Sequence, residues 1–275
     1  MENNYNIIVL DLDGTLTDSK KELSERNRKA LIAAQQQGAC IVLASGRPTY
    51  GIVPIAQALE LDKFGGYILS FNGGMIIEYA TGKIIYQNSL PEELIKPLYE
   101  ESKAAGCTIL SYDGDVIFAE ESAEKNKYVA HEAFLNKMQV RECQSFTEQV
   151  KEPLTKCLSV GDPELVIELE KHLLSLYGSK MSIYRSEPFF LELVPLGIDK
   201  AQSLEKLLQY TGGSKDEMVA FGDGFNDLSM IEYAGCGVAM ANAQNVLLER
   251  ANQTTLSNDE DGVAVWVEEN ILKGL

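Results

Sequence analysis

The sequence predicts an α/β protein: a mostly parallel β-sheet with helices on both faces, interrupted by an inserted α+β domain. Three observations predict it. Short apolar runs rich in β-branched residues alternate with stretches of helical period, first over residues 7–71 and again from Leu196 onward. Between about 90 and 190 the text is more amphipathic and contains hairpin signals. The apolar runs of the outer segments end in polar residues and glycine, as strands do when their C-terminal ends meet at one edge.

Taken in order, Ile7-Ile8-Val9-Leu10 reads as a buried strand that runs into Asp11-Leu12-Asp13-Gly14-Thr15. Ser24 is a candidate cap for a helix carrying Ala30, Leu31 and Ala34 at helical spacing and closed by Gly38. Cys40 to Ala44 is a second strand, ending in Ser45-Gly46-Arg47-Pro48, and a helix is expected from Ile55 to Leu61. Tyr67 to Phe71 is a third strand, ending in Asn72-Gly73-Gly74. Met75–Tyr79 and Lys83–Asn88 flank Thr81-Gly82 as a hairpin, and Thr108–Tyr112 and Val116–Ala119 flank Asp113-Gly114 as another. Helices are expected over 91–105, 122–136 and 163–177, the last with Asp162 as cap and Pro163 at its first position. Strands are expected near 154–160, 181–185 and 189–194. The α/β text then resumes with a stripe of Ala201, Leu204, Leu207 and Leu208. Met218-Val219-Ala220-Phe221 is a strand ending in Gly222-Asp223-Gly224-Phe225-Asn226-Asp227. A helix near 227–234, a short strand over Gly237–Met240 and two further helices complete the chain. The expected domains are therefore 1–82 with 192–275, and an insert over 83–191.

The composition, 45% hydrophobic and 24% charged, is that of a soluble globular protein. No apolar run reaches the ~20 residues that span a membrane, and no signal peptide is read. The five cysteines are widely spaced and lack a Cys-x-x-Cys, so free thiols packed in the core of a cytoplasmic protein are expected. A net charge of −17 without a Lys/Arg cluster argues against nucleic-acid and anionic-membrane partners. If the substrate is anionic, a divalent metal and a few placed cations must reverse the local field.

Two carboxylates at the end of a buried strand repel each other and are poorly solvated unless a cation joins them. Asp13-Gly14 alone is a good turn, but a turn does not explain Asp11. Three strand ends carry Asp11/Asp13, Ser45 and Asp223/Asp227, and their meeting on one edge would make a site. Asp11, Asp13 and Asp223 are hard oxygen ligands suited to Mg²⁺, whereas no Cys/His pair has zinc spacing. A carboxylate beside Mg²⁺ can attack phosphorus, and the Thr15 and Ser45 hydroxyls with turn N–H groups can hold phosphoryl oxygens. Lys200 stands where it could add charge stabilisation, or be a solvated lysine at a helix start.

These motifs resemble those of the haloacid dehalogenase-like hydrolases: Asp11-Leu12-Asp13-Gly14-Thr15 the first, Ser45-Gly46-Arg47 the second, Lys200 the third and Gly222–Asp227 the fourth. The wording of Ser-Gly-Arg, Phe-Asn-Gly-Gly, Gly-Asp-Gly-x-Asn-Asp and Asn-Asp-Glu-Asp-Gly-Val-Ala is similar to the Cof-like sugar-phosphatase branch. The resemblance implies a Rossmann-like core with a large α/β cap, and a Mg²⁺-dependent phosphatase of small phosphorylated metabolites, sugar phosphates foremost. It implies Asp11 as nucleophile and Asp13 as general acid and then base. It implies Mg²⁺ held by the Asp11 and Asp223 carboxylates and the Asp13 backbone carbonyl. Ser45 and Lys200 would hold the phosphoryl group, with Asn226 and Asp227 supporting the metal shell and orienting Lys200 or water.

Other residues carry two readings each. Arg47, with Gly46, could bind substrate near the phosphate or pair with a surface carboxylate; Asn72 could touch substrate or make its turn; Asn226 could reach the phosphate. Asn242 reads as a helix cap with a site contact, and Asn258–Asp261 as an acidic metal site or, the preferred reading, the cap of the last helix. His131 and His172 read as surface residues and Trp266 as core. Two other functions share the chemistry: a phosphomutase, and a phosphorylation-driven receiver-like binding protein, against which Asp13 argues because a second carboxylate speeds hydrolysis. The substrate's identity and the oligomeric state are not written in these motifs.

Overall fold

The computed structural model of the chain describes residues 5–150 and 153–272. Two compact units are present. The first takes the described residues up to Gly46, Ile52–Tyr86 and those from Asp199 on; the second takes Arg47–Gly51 and Gln87–Ile198. These bounds lie a few residues beyond the expected 82/83 and 191/192, because the strand starting at Lys83 joins the first unit's sheet and the strand ending at Pro195 belongs to the second's.

In chain order the first unit opens with β1 (Ile7–Leu10), α1 (Glu25–Gln36), β2 (Cys40–Ala44), α2 (Thr49–Ala58), α3 (Leu61–Phe64), β3 (Tyr67–Ser70), β4 (Met75–Glu78) and β5 (Lys83–Gln87). The second is built from α4 (Glu92–Ala104), β6 (Thr108–Asp113), β7 (Val116–Ala119), α5 (Lys127–Asn136), β8 (Gln139–Glu142), α6 (Phe146–Gln149), β9 (Cys157–Val160), α7 (Pro163–Tyr177), β10 (Met181–Glu187) and β11 (Phe190–Pro195). The chain returns through α8 (Lys200–Thr211), β12 (Met218–Gly222), α9 (Leu228–Tyr233), β13 (Cys236–Ala239), α10 (Asn245–Arg250), β14 (Gln253–Thr254) and α11 (Gly262–Asn270).

The first unit's sheet has the order β14-β13-β12-β1-β2-β3-β4-β5, parallel from β14 to β3 and antiparallel at β3/β4. Side-chain alternation splits its core cleanly. Ile8, Leu10, Ile41, Leu43 and Phe221 face α1, α2 and α11 through Leu31, Ile52 and Trp266. Val9, Val42, Ala220 and Ala239 face α8, α9 and α10 through Leu204, Met230 and Leu247. Because β12, β1, β2 and β3 are parallel and adjacent, their C-terminal ends present Asp223, Asp11, Ser45 and Asn72 along one edge.

The second unit's sheet has the order β10-β11-β9-β6-β7-β8 and is antiparallel except at β7/β8. One face packs on α4 and α7 through Ile109, Leu98 and Leu169; the other meets α5 through Leu110, Leu158 and Val129. On that second face sits a buried ion pair, Lys156 Nζ to Glu192 Oε2 at 2.6 Å. Burial would lower the lysine's pKa, but Glu192 and Glu132 outweigh it and raise it.

Several expectations shift. The helix expected over 55–61 starts at Thr49: Gly51 and Pro54 read as breakers, yet burial of Ile52, Ile55 and Ala56 holds α2 together. The helix expected from 122 starts at Lys127, where the Asn126 side chain accepts from the N–H groups of Tyr128 and Val129. Strand β8 was not readable because only Val140 in it is apolar. Asp162 stands at the N-cap of α7, but its carboxylate accepts from the Tyr128 hydroxyl at 2.7 Å and does not cap. Asp261 precedes α11 in a left-handed conformation without a capping bond. All five cysteines are free thiols, four buried and Cys40 half-buried. Both histidines are exposed, His131 against Phe189 and Phe190 and His172 beside Glu101; Trp266 lies in the core.

Candidate active site

Lys200 is the first residue of α8 and is 1% exposed. The helix is started by Asp199, whose carboxylate accepts from the Gln202 N–H at 3.0 Å. It is seated by Ser203, whose hydroxyl donates to the Gly73 carbonyl at 2.6 Å. Gly73 lies at φ +100°, and a Cβ there would meet the Ser203 hydroxyl at 2.5 Å, so the turn after β3 accepts α8 only as glycine. This seating carries the lysine inward. An ammonium has three N–H groups, and all three are used: Nζ donates to Asp11 Oδ1 at 2.7 Å, to Asp227 Oδ1 at 2.6 Å and to the Ala44 carbonyl at 2.8 Å. The surface reading of Lys200 is excluded by its burial.

Asp223 stands beside this triad. The Thr15 hydroxyl donates to its Oδ1 at 2.8 Å. Gly14, at φ +87°, lies so close that a Cβ would run into the Asp223 carboxylate. Asp227 has both oxygens engaged: Oδ1 by Lys200, and Oδ2 by the backbone N–H groups of Asp223 and Gly224 at 3.0 and 2.9 Å. It therefore closes the Gly222–Asp227 turn and aims the lysine. Asn226 Nδ2 donates to Asn72 Oδ1 at 2.9 Å, which ties the end of β3 to the same turn. Asn72 and the preceding Phe71 both lie in the left-handed region, at φ 56° and 54°, an uncommon conformation for residues other than glycine. The Asn72 N–H donates to the Ser45 carbonyl at 2.9 Å, which links the ends of β2 and β3, and Ser45 itself is buried.

Carboxylate oxygens of Asp11, Asp223 and Asp227 lie within 4.8 Å of one another. With all three ionised, the carboxylates against one ammonium leave two negative charges in a largely buried place. Burial first, then the Asp227 charge, pushes the Asp11 carboxyl up to about 8 against the opposing effect of Lys200. Burial also raises Asp223, to about 6, although the Thr15 hydrogen bond pulls the other way. Lys200 is held strongly protonated: burial would lower its pKa, but Asp11 and Asp227 outweigh it. The donor set is all hard oxygen and lacks two units of positive charge, so these residues fit a hard divalent cation. With Asp227 occupied by its own turn, Asp11 and Asp223 are the carboxylates suited to hold one.

Asp13 lies just off the buried triad, and Lys21 Nζ sits 3.0 Å from its Oδ1. Lys21 carried no sequence signal, since a lone lysine in a polar turn has no pattern. Arg47 falls with the second unit, where its Nη1 donates to the Gly51 carbonyl at 3.2 Å. Asn242 is not a helix cap: Gln244 takes that position for α10, while Asn242 Nδ2 donates to the Gly14 carbonyl at 2.8 Å and its Oδ1 accepts from the Asn258 N–H. Asn258 and Asp259 do not cap α11 either; they bind Thr17 and Ser19.

The chain is similar to several known proteins along nearly its whole length. The family model of haloacid dehalogenase-like hydrolases matches residues 8–267. A crystal structure of such a hydrolase from Bacteroides thetaiotaomicron is 53% identical, with a TM-score of 0.93 over 96% of this chain and 99% of that one. A Thermotoga maritima structure is 30% identical, with a TM-score of 0.86 over 96% and 97% of the two chains. The Bacillus subtilis protein YitU, named as a 5-amino-6-(5-phospho-D-ribitylamino)uracil phosphatase, is 30% identical over 98% of both chains. Among the described residues, no helix is long and apolar enough to cross a membrane.

Proposed function

The chain belongs to the haloacid dehalogenase-like hydrolase family, and from that premise we propose that it is a Mg²⁺-dependent phosphatase of small phosphorylated metabolites, sugar phosphates foremost, acting through a phosphoryl group carried on Asp11. The observation that carries this reading is the buried arrangement of Asp11 and Asp227 around Lys200, with Asp223 alongside: a carboxylate nucleophile, its cation and a residual charge that suits a divalent ion.

In this reading Asp11 attacks the phosphorus of a phosphate monoester. The new bond joins its carboxylate oxygen to phosphorus as the bond to the leaving oxygen breaks. Asp13 gives a proton to that oxygen, and an alcohol departs. Water then attacks the same phosphorus, Asp13 takes its proton, the bond to Asp11 breaks and phosphate leaves. Lys200 stabilises the charge gathering on the phosphoryl oxygens while it holds Asp11 in place. Asp227 and the Gly222–Asp227 turn fix Lys200, and Ser45, Gly46 and Asn72 supply the rim on which phosphate oxygens rest. The Thr15 hydroxyl donates to Asp223 and so orients a carboxylate suited to hold the metal. A magnesium ion held by the Asp11 and Asp223 carboxylates and the Asp13 carbonyl would offset the negative charge and polarise the phosphoryl group.

The sugar-phosphate class is supported by the polyol character of the ester that YitU is named for. The test is phosphate release from a panel of sugar, nucleotide and cofactor phosphates, with Mg²⁺ and with EDTA. The reading expects release that EDTA abolishes and that Asp11→Asn lowers by at least about a thousandfold. Full activity in excess EDTA, or an Asp11→Asn variant within tenfold of wild type, would overturn it.

A further inference from the structure

Lys21 stands in the tight turn that closes the Thr17–Leu23 bridge, where the Asp18 N–H donates to the Glu22 carbonyl at 3.0 Å. It lies at φ 63°, in the left-handed region that a long side chain visits only when its surroundings impose it. The turn that imposes it is heavily tied. Asp18 Oδ1 accepts from the N–H groups of both Lys20 and Glu22 at 2.9 Å, and the Lys21 N–H donates to the Asp18 carbonyl at 2.8 Å. Ser19 donates to Asp259 twice, through its N–H at 2.8 Å and its hydroxyl at 2.6 Å. Asn258 Nδ2 donates to the Thr17 carbonyl at 2.9 Å, and Asn242 Nδ2 to the Gly14 carbonyl at 2.8 Å. Chain that leaves Asp13 is thus pinned at Gly14, Thr17 and Ser19 by residues more than two hundred positions away, and it turns back to lay Lys21 Nζ 3.0 Å from Asp13 Oδ1.

An exposed ion pair of this kind adds little stability, since water and salt screen it. Orientation is what it supplies. The Asp13 carboxyl group turns about two bonds, and proton delivery to a leaving oxygen requires one of its oxygens within hydrogen-bond reach and in line. Fixing Oδ1 fixes the plane of the group, and with it the direction of the other oxygen. We propose that Lys21 is a positioning residue for Asp13, set in place by the clamp that Asn242, Asn258 and Asp259 form on residues 14–19. The proposal rests on the phosphatase reading above, in which Asp13 protonates the departing alcohol; it adds a residue outside the four motifs and gives the Asn258–Asp261 stretch a role.

The test uses the leaving group as its readout. An alkyl phosphate needs the proton, whereas para-nitrophenolate departs without one. The parameter is kcat/KM, which reports steps up to loss of the alcohol. For Lys21→Met, the proposal expects a fall of about tenfold or more on the best alkyl phosphate of the panel and under about threefold on para-nitrophenyl phosphate. Lys21→Arg should restore most of the alkyl activity, with the melting temperature unchanged in both variants. Asp259→Ala, which touches no reacting group, should tilt the same ratio in the same direction. Equal losses on both substrates would make Lys21 a simple attractor of phosphate dianions and overturn the proposal, as would an unchanged alkyl rate. A wild type that hydrolyses neither ester would instead overturn the phosphatase reading on which the proposal stands.

Discussion

At the scale of single residues, the chemistry gathers on Lys200. Its three hydrogen bonds satisfy the ammonium completely, but they leave it the sole side-chain cation bound to the Asp11–Asp223–Asp227 cluster among the described residues. Lys200→Met should lower phosphate release by at least about a hundredfold. It should also destabilise the fold by about 3 kcal/mol in urea titrations, because Asp11 and Asp227 would be left buried without their partner. An unchanged denaturation midpoint would mean that the triad does not hold the native state. The raised pKa values of Asp11, about 8, and Asp223, about 6, give a second expectation. Both lie above the unfolded carboxylate value, so the metal-free native state binds protons that the unfolded state releases. Stability in EDTA should therefore rise as pH falls from above 8 towards 5. Protons and a divalent cation should compete for the same oxygens, so Mg²⁺ should raise the melting temperature more at pH 8 than at pH 5.5. A melting temperature that falls steadily over that window in EDTA would contradict the assignment.

At the scale of elements, the site depends on how α8 meets the turn after β3. Gly73 is the contact point, and Gly73→Ala combines an unfavourable φ with a Cβ pressed against Ser203 and the Asp199 carbonyl. The substitution should cost about 1–3 kcal/mol and displace Lys200, lowering kcat by about tenfold or more. Ordinary stability with ordinary kcat would show that α8 is seated by its apolar face alone. Elements also show where the sequence was legible. Strands β1, β2, β3 and β12 announce themselves as apolar runs, and the polar residues that end them, Asp11, Ser45 and Asp223, were expected on one sheet edge, where they lie. Features made by tertiary contact were hidden. Asp259 follows Ser257-Asn258 and stands shortly before an apolar helix, so local grammar reads a cap, whereas its partner Ser19 is 240 positions away. Lys21 carries no periodicity at all, and Phe71 reads as the end of an apolar strand although β3 stops at Ser70 and Phe71 turns left-handed with Asn72. Strand β8 pairs beside β7 with a single half-buried apolar residue, too little for alternation to register.

At the scale of the whole molecule, the chain forms two units with separate cores. One carries the carboxylate edge; the other has a sheet covered by helices and a buried Lys156–Glu192 pair, with Glu132 nearby hydrogen-bonded to Tyr112. Exchange of residues 87–198 for the matching segment of a relative with another substrate should move the order of preferred esters and preserve Mg²⁺ dependence. An unchanged order would return specificity to the first unit. The protein's net charge of −17 sharpens the demand on the site, since an anionic substrate must be drawn to an acidic molecule. One event is central to the proposed function: transfer of a phosphoryl group to Asp11. The most direct measurement is a single-turnover reaction with a hydrolysed phosphate ester, quenched in acid and mapped by peptide mass spectrometry. The account predicts one transient phosphoryl group, on the peptide holding Asp11, absent in Asp11→Asn and accumulating when Asp13→Asn slows its hydrolysis. Phosphate release with no phosphoryl group on that peptide, or with the group on another residue, would contradict it.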